Sequence, residues 1–318
     1  MGSTSLPKEL PTINFSSLGQ DLKPGSSSWV STCKQVRCAL EEYGCFIALY
    51  QQLSPQLVDG MFGQSRDLFE VPLETRVKNT SEEPYRGYLP PTPRTPLHEG
   101  IAIDNIPCPQ ETQKFRELMW PHGKPKFCEI TDLFAKFLGD FEITVEKMLF
   151  ESFGIPQEQC ESLTSSNSHL LRFLKYRTPE DSDTDLRFPG HTDKNLTTIL
   201  VQHDVGGLEI KTKDGEWISV ESAPSHCLFM AGDGLQVWSN DRIKACHHQV
   251  KHCGNKARYS MGMFTFNNGV FQVPKELVDE SHPLLYNRFD SRGFMRFYTT
   301  EESRKSKSPI KAYCGVTK

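Results

Sequence analysis

The segment LEIKTKDGEWISV, residues 208–220, decides the fold of this chain. Two runs of alternating apolar and polar residues flank Lys213-Asp214-Gly215, a turn sequence typical of the connection between two antiparallel strands. Segments of strand character, separated by turn residues, continue on both sides of this hairpin at 170–176, 197–202, 227–230, 235–238, 247–251 and 258–266. Many short strands at even spacing predict a β-sandwich, a barrel or a double-sheet jelly roll.

Helical patterns stand mainly before these strands, so the sequence predicts helices around a β core. Apolar residues at helical spacing predict helices from Trp29 to Tyr43, from Ser54 to Phe69 and from Cys128 to Phe153. Pro84 to Pro109 is rich in proline and glycine, which predicts an irregular segment that covers the core. A final helix or two is expected from Pro283 to Tyr298.

The composition argues against several classes of function. With 36 basic and 40 acidic residues the net charge is −4, which disfavours a nucleic-acid binder that relies on phosphate contacts. No apolar run is long enough to cross a bilayer and the first residues lack the apolar centre of a signal peptide, so we expect a cytoplasmic protein without a membrane partner. Ten cysteines lack the paired spacing of a zinc site or disulfide framework, and we expect reduced thiols.

A candidate metal site begins at Gly190-His191-Thr192-Asp193. His191 and Asp193 lie two positions apart, so on a strand both side chains point to one face. His248, in a later strand segment, supplies a third ligand type, although its neighbour His247 is an equal candidate on composition alone. Adjacent strand residues face opposite ways, so only one of the two can join. Two imidazoles and one carboxylate form the ligand set of non-haem Fe(II) oxygenases, which leaves other metal positions open.

A candidate carboxylate clamp follows in the last strand segment. Arg258 and Ser260 share a strand face. A guanidinium binds a carboxylate through two parallel charge-assisted hydrogen bonds, and a hydroxyl adds another. The metal site and the clamp together suggest iron and a dicarboxylate cosubstrate.

These motifs resemble a known family. The series His191-Thr192-Asp193, His248-Gln249-Val250 and Arg258-Tyr259-Ser260 closely resembles the plant-type 2-oxoglutarate/Fe(II)-dependent dioxygenases, over nearly the whole chain. Residues 94–100 (RTPLHEG) and 208–217 are most similar to the branch typified by the AOP dioxygenases and their AOP1-like relatives. The resemblance implies a mainly β protein with flanking helices and a double-stranded β-helix (jelly roll) core. Residues 1–110 would form an N-terminal α/β region packed on an oxygenase core at 111–318, in one compact unit.

The resemblance also implies a role for each site residue. Fe(II) would bind His191, Asp193 and His248, which selects His248 over His247. 2-Oxoglutarate would bind Arg258, Ser260 and Tyr176, while Leu174 replaces an asparagine that contacts the cosubstrate in the family. Phe264 and Phe266 match positions that line the substrate pocket, although core packing explains them equally well. For His98 and Glu99 we expect a surface loop pair rather than a substrate contact.

The implied activity is the oxidation of a small specialised plant metabolite by hydroxylation, demethylation or desaturation. Fe(II), 2-oxoglutarate and O2 would take part, with ascorbate as reductant, and the enzyme would act as a monomer on a small molecule. Oxidation of a plant hormone such as an auxin or a gibberellin is an alternative within the family. A catalytically silent binding relative is a further alternative, which the presence of all three ligand residues disfavours.

Overall fold

Two β-sheets enclose the interior of the protein. The computed structural model describes residues 9–180, 186–251 and 254–317. An apolar core lies between the sheets and joins Leu174, Leu200 and Met230 of the larger sheet to Ile210 and Val250 of the smaller one. This is the predicted mainly β jelly roll with flanking helices, and the fold class is confirmed.

The larger sheet has eight strands and the smaller has four. Numbered in chain order, the strands of the large sheet are β1 (Thr12–Asn14), β2 (Cys45–Leu49), β3 (Tyr88–Leu89), β4 (His98–Ile106), β5 (Asn167–Tyr176), β7 (Thr197–Gln202), β10 (His226–Ala231) and β12 (Arg258–Asn267). They lie in the order β1-β2-β10-β7-β12-β5-β4-β3, antiparallel except for β1 and β2. The small sheet contains β6 (Leu186–His191), β8 (Leu208–Lys211), β9 (Trp217–Val220) and β11 (His248–Lys251), in the order β6-β11-β8-β9. A separate pair joins β13 (Val270–Phe271) to β14 (Phe289–Asp290).

Helices flank the large sheet. They are α1 (Ser27–Tyr43), α2 (Pro55–Phe69), α3 (Leu73–Arg76), α4 (Pro109–Met119), α5 (Pro125–Ser152), α6 (Gln157–Thr164), α7 (Asp233–Trp238), α8 (Ser291–Tyr298), α9 (Glu301–Lys305) and α10 (Pro309–Cys314). Of these, α1, α2, α4, α5 and α7 contact its strands directly. The longest, α5, buries Phe141 against the rings of Phe15 and Tyr50, each at 4.9 Å between centroids. The three helices expected from periodicity are therefore present as α1, α2 and α5.

Strand alternation separates the two faces of the large sheet. On β5, Leu171 and Phe173 belong to the apolar core under the helices, whereas Leu174 and Tyr176 belong to the core between the sheets. Residues in step with Leu174 and Tyr176, including Arg172, therefore face the interior. The candidate site is built on this inner face.

Two segments differ from the sequence prediction. The segment from Pro84 to Pro109 was expected to be irregular, but it contains β3 and the nine-residue strand β4, which lies beside β5. The segment Leu235 to Trp238 was expected to be a strand, but it belongs to the short helix α7. Both sides of α7 are buried, because Leu235 and Val237 pack into the core, so its apolar residues show no helical periodicity. In the C-terminal segment, only α8 from Ser291 onward is helical within Pro283–Tyr298.

Strands from the first 110 residues are hydrogen-bonded into the same sheet as the later strands. β2 pairs with β10, and β4 pairs with β5. The division of the chain after residue 110 stays a prediction. Among the described residues, no helix combines the length and apolar character needed to cross a membrane.

Candidate metal centre and cosubstrate site

Three side chains converge at one end of the small sheet. His191 ends β6 and His248 begins β11, and these two residues are direct partners in the antiparallel register. The turn that follows β6 places Asp193 beside them. Asp193 Oδ1 lies 3.7 Å from His191 Nε2 and 3.9 Å from His248 Nε2. One ligand atom from each residue lies within 4.8 Å of the other two, a spacing that one metal ion can bridge.

The orientation of both imidazoles fits a metal. His191 Nδ1 lies 3.0 Å from the Pro189 carbonyl oxygen, and His248 Nδ1 lies 3.1 Å from the Cys246 carbonyl oxygen. A carbonyl only accepts, so each Nδ1 donates, and in the neutral imidazole the lone pair is then on Nε2, which faces the cluster. Two neutral imidazole nitrogens and one carboxylate oxygen on one side of a metal are the facial set that Fe(II) oxygenases use. The donor chemistry therefore fits Fe(II).

Asp193 is oriented by a buried hydroxyl. Thr198 Oγ1 donates to Asp193 Oδ2 over 2.7 Å, which leaves Oδ1 toward the two histidines. Asn195 Nδ2 in turn donates to Thr198 Oγ1 over 3.0 Å. Both Thr198 and Asn195 are almost fully buried. Such outer contacts fix a ligand before the metal arrives.

The start of α7 holds the turn that carries Asp193. Backbone N–H groups of Gly232, Asp233 and Gly234 donate to the carbonyl oxygens of Leu196, Asp193 and Asn195, over 2.8 to 2.9 Å. A Cβ atom at position 232 would lie 2.3 Å from the Asn195 carbonyl oxygen, so only glycine fits. The segment that the sequence predicted as a strand is therefore a helix that supports the metal-binding turn.

Without metal, His191 and Asp193 have the protonation states that suit a cation, whereas His248 is protonated. Burial, together with His248, lowers the pKa of His191 to about 3, so this imidazole is neutral. Burial opposes charge on His248, but Asp193 and Cys246 outweigh it and raise the pKa of His248 to about 9. Burial likewise opposes charge on Asp193, yet the two histidines hold its pKa below the ordinary value. A metal ion that binds here displaces the proton of His248.

Arg258 lies deep on the inner face of the large sheet. Its Nη1 lies 3.1 Å from Ser260 Oγ and its Nη2 lies 2.7 Å from Gln202 Oε1. The guanidinium carbon lies 5.1 Å from the ring centroid of Tyr176, which faces Arg258 across β5 and β12. Arg258 and Ser260 are each 1% exposed. A guanidinium and a hydroxyl on one buried surface are suited to a carboxylate.

His98 and Glu99 do not form a surface loop pair, so that prediction is wrong. Both belong to β4. The His98 ring is buried 5.1 Å from that of Tyr176, so it faces the candidate cosubstrate site. Glu99 points to the opposite face, where it pairs with Arg76 and accepts from the Tyr88 hydroxyl at 2.6 Å. His98 alternates with Ile101 and Ile103, which belong to the core under the helices, so it lies on the inner face of the sheet, beside Tyr176.

The remaining candidates take different positions. Phe264 and Phe266 lie on the inner face in step with Ser260, are only partly buried, and belong to neither apolar core of the described chain. This placement agrees better with a pocket wall than with core packing. His247 points away from the cluster, with its ring 5.6 Å from that of Trp217. Cys253 and His252 lie outside the described residues, and the described cysteines are free thiols.

Sequence reasoning missed three residues that the fold brings to the site. They are Thr198, Gln202 and Arg172, of which the first two lie on β7 and the third on β5. Thr198 and Gln202 stand in a strand that is buried along its whole length, where a polar side chain needs a partner. That polarity inside an apolar strand was the available signal.

Comparison with known proteins identifies the family. A model described as the 2OG-Fe(II) oxygenase superfamily matches residues 167–267, and one described as non-haem dioxygenase in morphine synthesis N-terminal matches residues 10–122. A curated relative is 38% identical over 313 residues, which covers 96% of this chain and 95% of the relative. The chain therefore belongs to the 2OG-Fe(II) oxygenase superfamily, as a 2-oxoglutarate-dependent dioxygenase. That relative is the probable 2-oxoglutarate-dependent dioxygenase AOP1.2 of Arabidopsis thaliana, so the predicted resemblance is confirmed.

Solved structures show the same fold. The dioxygenase for auxin oxidation 1 from Arabidopsis thaliana, in complex with 2-oxoglutarate, superposes with a TM-score of 0.77 at 25% identity over 86% of this chain and 100% of that one. The dioxygenase for auxin oxidation from rice superposes with a TM-score of 0.81 at 24% identity over 97% of this chain and 100% of that one. The second likeness concerns the fold alone.

We expect Thr198→Val to weaken Fe(II) binding by roughly tenfold, the lower end of the effect of an outer contact to a metal ligand. The change removes the hydroxyl that orients Asp193 and keeps the shape of the side chain. Calorimetric titration of the metal-free protein with Fe(II) under anaerobic conditions measures the effect. Thr265→Val is the matched control, because Thr265 is equally buried and its hydroxyl has no partner among the described residues. Equal affinities for the two variants would contradict the role of Thr198.

Substitution of the two adjacent histidines should have very different effects on Fe(II) affinity. His248→Ala removes a ligand atom and should weaken Fe(II) binding by more than about 100-fold, beyond the range for an outer contact. His247→Ala should change binding by less than about threefold, because its ring lies beside Trp217 and outside the cluster. The same anaerobic titration measures both variants. A larger loss in His247→Ala than in His248→Ala would show that the ligand is assigned to the wrong residue.

Proposed function

We propose that this dioxygenase oxidises a small specialised metabolite at a metal centre formed by His191, Asp193 and His248. The observation that carries the proposal is the pairing of a three-ligand cluster with a buried guanidinium inside one jelly roll. Metal-bound 2-oxoglutarate needs both parts: open positions on the metal for its keto acid, and a cation for its other carboxylate.

The residues of the chain would hold and orient the reactants. His191 and His248 would bind Fe(II) through Nε2, and Asp193 would bind it through Oδ1. When bound, Fe(II) supplies the activation of O2, with 2-oxoglutarate converted to succinate and CO2 as one oxygen atom enters succinate and the other oxidises the substrate. The carbonyls of Pro189 and Cys246 keep both imidazoles in the binding tautomer.

The inner face of the large sheet would hold the cosubstrate. Arg258 would bind the distal carboxylate of 2-oxoglutarate by a two-pronged contact, with Ser260 Oγ close enough to share the same oxygen. Gln202 holds the guanidinium in place from the neighbouring strand, and the ring of Tyr176 covers its face. Phe264 and Phe266 would form an apolar wall for the substrate.

Several finer expectations go with the proposal. O2 would be the oxidant, and ascorbate would keep the iron ferrous. A monomer, a cytoplasmic location and the absence of a nucleic-acid partner stay predictions. A second candidate is the oxidation of an auxin, which the likeness to the dioxygenase for auxin oxidation 1 favours. A silent binding relative is disfavoured, because the orientation of all three ligand side chains suits a metal.

The test of the proposed function is succinate release from 2-oxoglutarate by the full chain. Succinate should form when Fe(II) and O2 are present, cease when a chelator removes the metal, and return when Fe(II) but not Zn(II) is added. Mass spectrometry of extracts of small metabolites incubated with the enzyme then identifies the compound that gains oxygen or loses hydrogen. An auxin as the added compound tests the second candidate. No metal-dependent succinate under any of these conditions would leave only the silent relative.

We expect Arg258→Gln to raise the half-saturating concentration of 2-oxoglutarate by about 10- to 100-fold, because a hydrogen-bonded charge contributes about 1.5–3 kcal/mol. Arg258→Lys keeps the charge but loses the fork geometry, so its increase should be smaller. Succinate release against 2-oxoglutarate concentration measures both variants, and thermal unfolding verifies that they are folded. Unchanged saturation in Arg258→Gln would contradict the clamp.

A further inference from the structure

A second arginine occupies the inner face of the large sheet. Arg172 lies in the middle of β5, and its partners in register are Ala102 on β4 and Gly262 on β12. These small neighbours leave the surface open around a long side chain. A Cβ atom at Gly262 would lie 2.7 Å from the Phe264 ring, so glycine at 262 lets Phe264 lean toward Arg172. The Arg172 guanidinium carbon lies 5.4 Å from the centroid of that ring.

Arg172 lies between the cosubstrate clamp and the metal-binding turn. On β5 it lies four positions before Tyr176, the register partner of Arg258, which corresponds to about 13 Å along a strand. Phe264 is the next residue after Gly262 that faces the interior on β12. Its register partner on β7 is Thr198, the residue that orients Asp193. The side chain is therefore separate from the carboxylate clamp and stands beside the apolar wall.

The guanidinium of Arg172 has few partners. Nη2 donates to the carbonyl oxygen of Tyr85, and Nε is buried without a hydrogen-bond partner among the described residues. Within the part of the chain that the structure describes, no carboxylate lies within ion-pair distance of it. Two neighbouring cations do have carboxylate partners. Arg86 Nη1 lies 2.7 Å from Asp104 Oδ1, and Lys194 Nζ lies 2.8 Å from Asp233 Oδ2.

Arg172 carries a positive charge that affects the neighbouring His98. Burial lowers the pKa of Arg172 to about 10 although Asp193 and Asp104 act in the opposite direction, so the group stays protonated at neutral pH. Burial, and after it Arg172 and Arg258, lowers the pKa of His98 to about 3. Arg172 is partly buried, and a cation that is shielded from water without a carboxylate beside it is unfavourable. A ligand with negative charge would relieve this.

We propose that Arg172 binds an anionic oxygen group of the substrate, a carboxylate or a similar oxyanion, while Phe264 contacts its apolar part. The inference rests on the proposed function, since it concerns the substrate that the metal centre oxidises. A guanidinium has five N–H donors, and Tyr85 accepts from one of them. Four remain, and a parallel pair of these can grip an oxyanion in the fork geometry. Tyr85 is 45% exposed, so the tip of Arg172 lies near the surface. The polar end of the substrate would therefore face the surface and its apolar end the metal.

Paired acids and amides test this inference by binding. The full chain is kept anaerobic with Fe(II) and saturating 2-oxoglutarate, which fills the Arg258 clamp, and is titrated with phenylacetate, cinnamate and naphthoate, each beside its neutral carboxamide. We expect at least one acid to bind about tenfold or more tightly than its amide, the effect of one hydrogen bond to a charged group. Arg172→Gln should abolish this preference while the amide affinity stays nearly the same, and Arg172→Lys should keep part of it.

The matched control is Arg94→Gln. Arg94 is exposed and close enough to influence Tyr85, so its removal takes the same charge from the neighbourhood of the entrance. The preference for the acid should persist in this variant, because the charge of an exposed arginine is screened by solvent and salt. A purely structural anchor for Tyr85 would instead make Arg172→Gln weaken acid and amide by the same factor.

Three outcomes would overturn the inference: no acid preferred over its amide in the wild type, a preference that persists in Arg172→Gln, or an equal loss for acid and amide. If Arg172→Gln does not fold, Arg172→Lys is the deciding variant. It should still bind the acid more tightly than the amide, but by a smaller factor than the wild type. Fe(II)-dependent succinate release of the wild type is measured separately. Absence of succinate would contradict the proposed function, whereas loss of acid selectivity alone would contradict only the role of Arg172.

Discussion

The geometry of the site depends on how the turn after β6 is held. Backbone hydrogen bonds from the first residues of α7 fix the turn, and the Thr198 hydroxyl fixes the carboxylate of Asp193. Antiparallel pairing of β6 with β11 alone brings His191 opposite His248 but cannot supply a third ligand. A carboxylate that is oriented before the metal binds loses little conformational freedom on binding. The short helix α7 therefore positions the third ligand, Asp193, beside the two histidines that the paired strands bring together.

The larger sheet carries the candidate cosubstrate clamp. Arg258 is almost completely buried, which is unfavourable for a charge unless polar groups surround it. Gln202 and Ser260 provide such groups from β7 and β12, and the Tyr176 ring covers the guanidinium face. The side chains come from three adjacent strands in direct register, so their positions follow from sheet pairing rather than from a loop. A rigid sheet suits a cosubstrate that must reach the metal at a fixed distance.

The sequence contained most of this site but only part of its support. The His-x-Asp triplet carries a local signal although Asp193 lies in the turn after β6, and so do the arginine and serine of the candidate clamp. The strand β4 was hidden because Pro96 and Gly100 interrupt a segment whose apolar alternation begins only at Ile101. The helix α7 was hidden because it is buried all around, so its apolar pattern reads equally well as a strand. Contacts such as Thr198 to Asp193 depend on tertiary packing, which no local pattern encodes.

In the roles proposed for the two arginines of the inner face, one sheet serves a constant and a variable ligand. Arg258 is held from neighbouring strands, so its position is fixed by the fold and suits a cosubstrate that does not change. Arg172 projects from an equally rigid strand, but the described partner of its guanidinium is the carbonyl of Tyr85 in the segment before β3. Loop segments change between relatives more readily than sheet registers do. The backbone of Arg172 is fixed by β5, whereas its guanidinium is positioned by the loop that contains Tyr85. Changes in that loop could therefore alter which anion binds while the positive charge stays in the pocket.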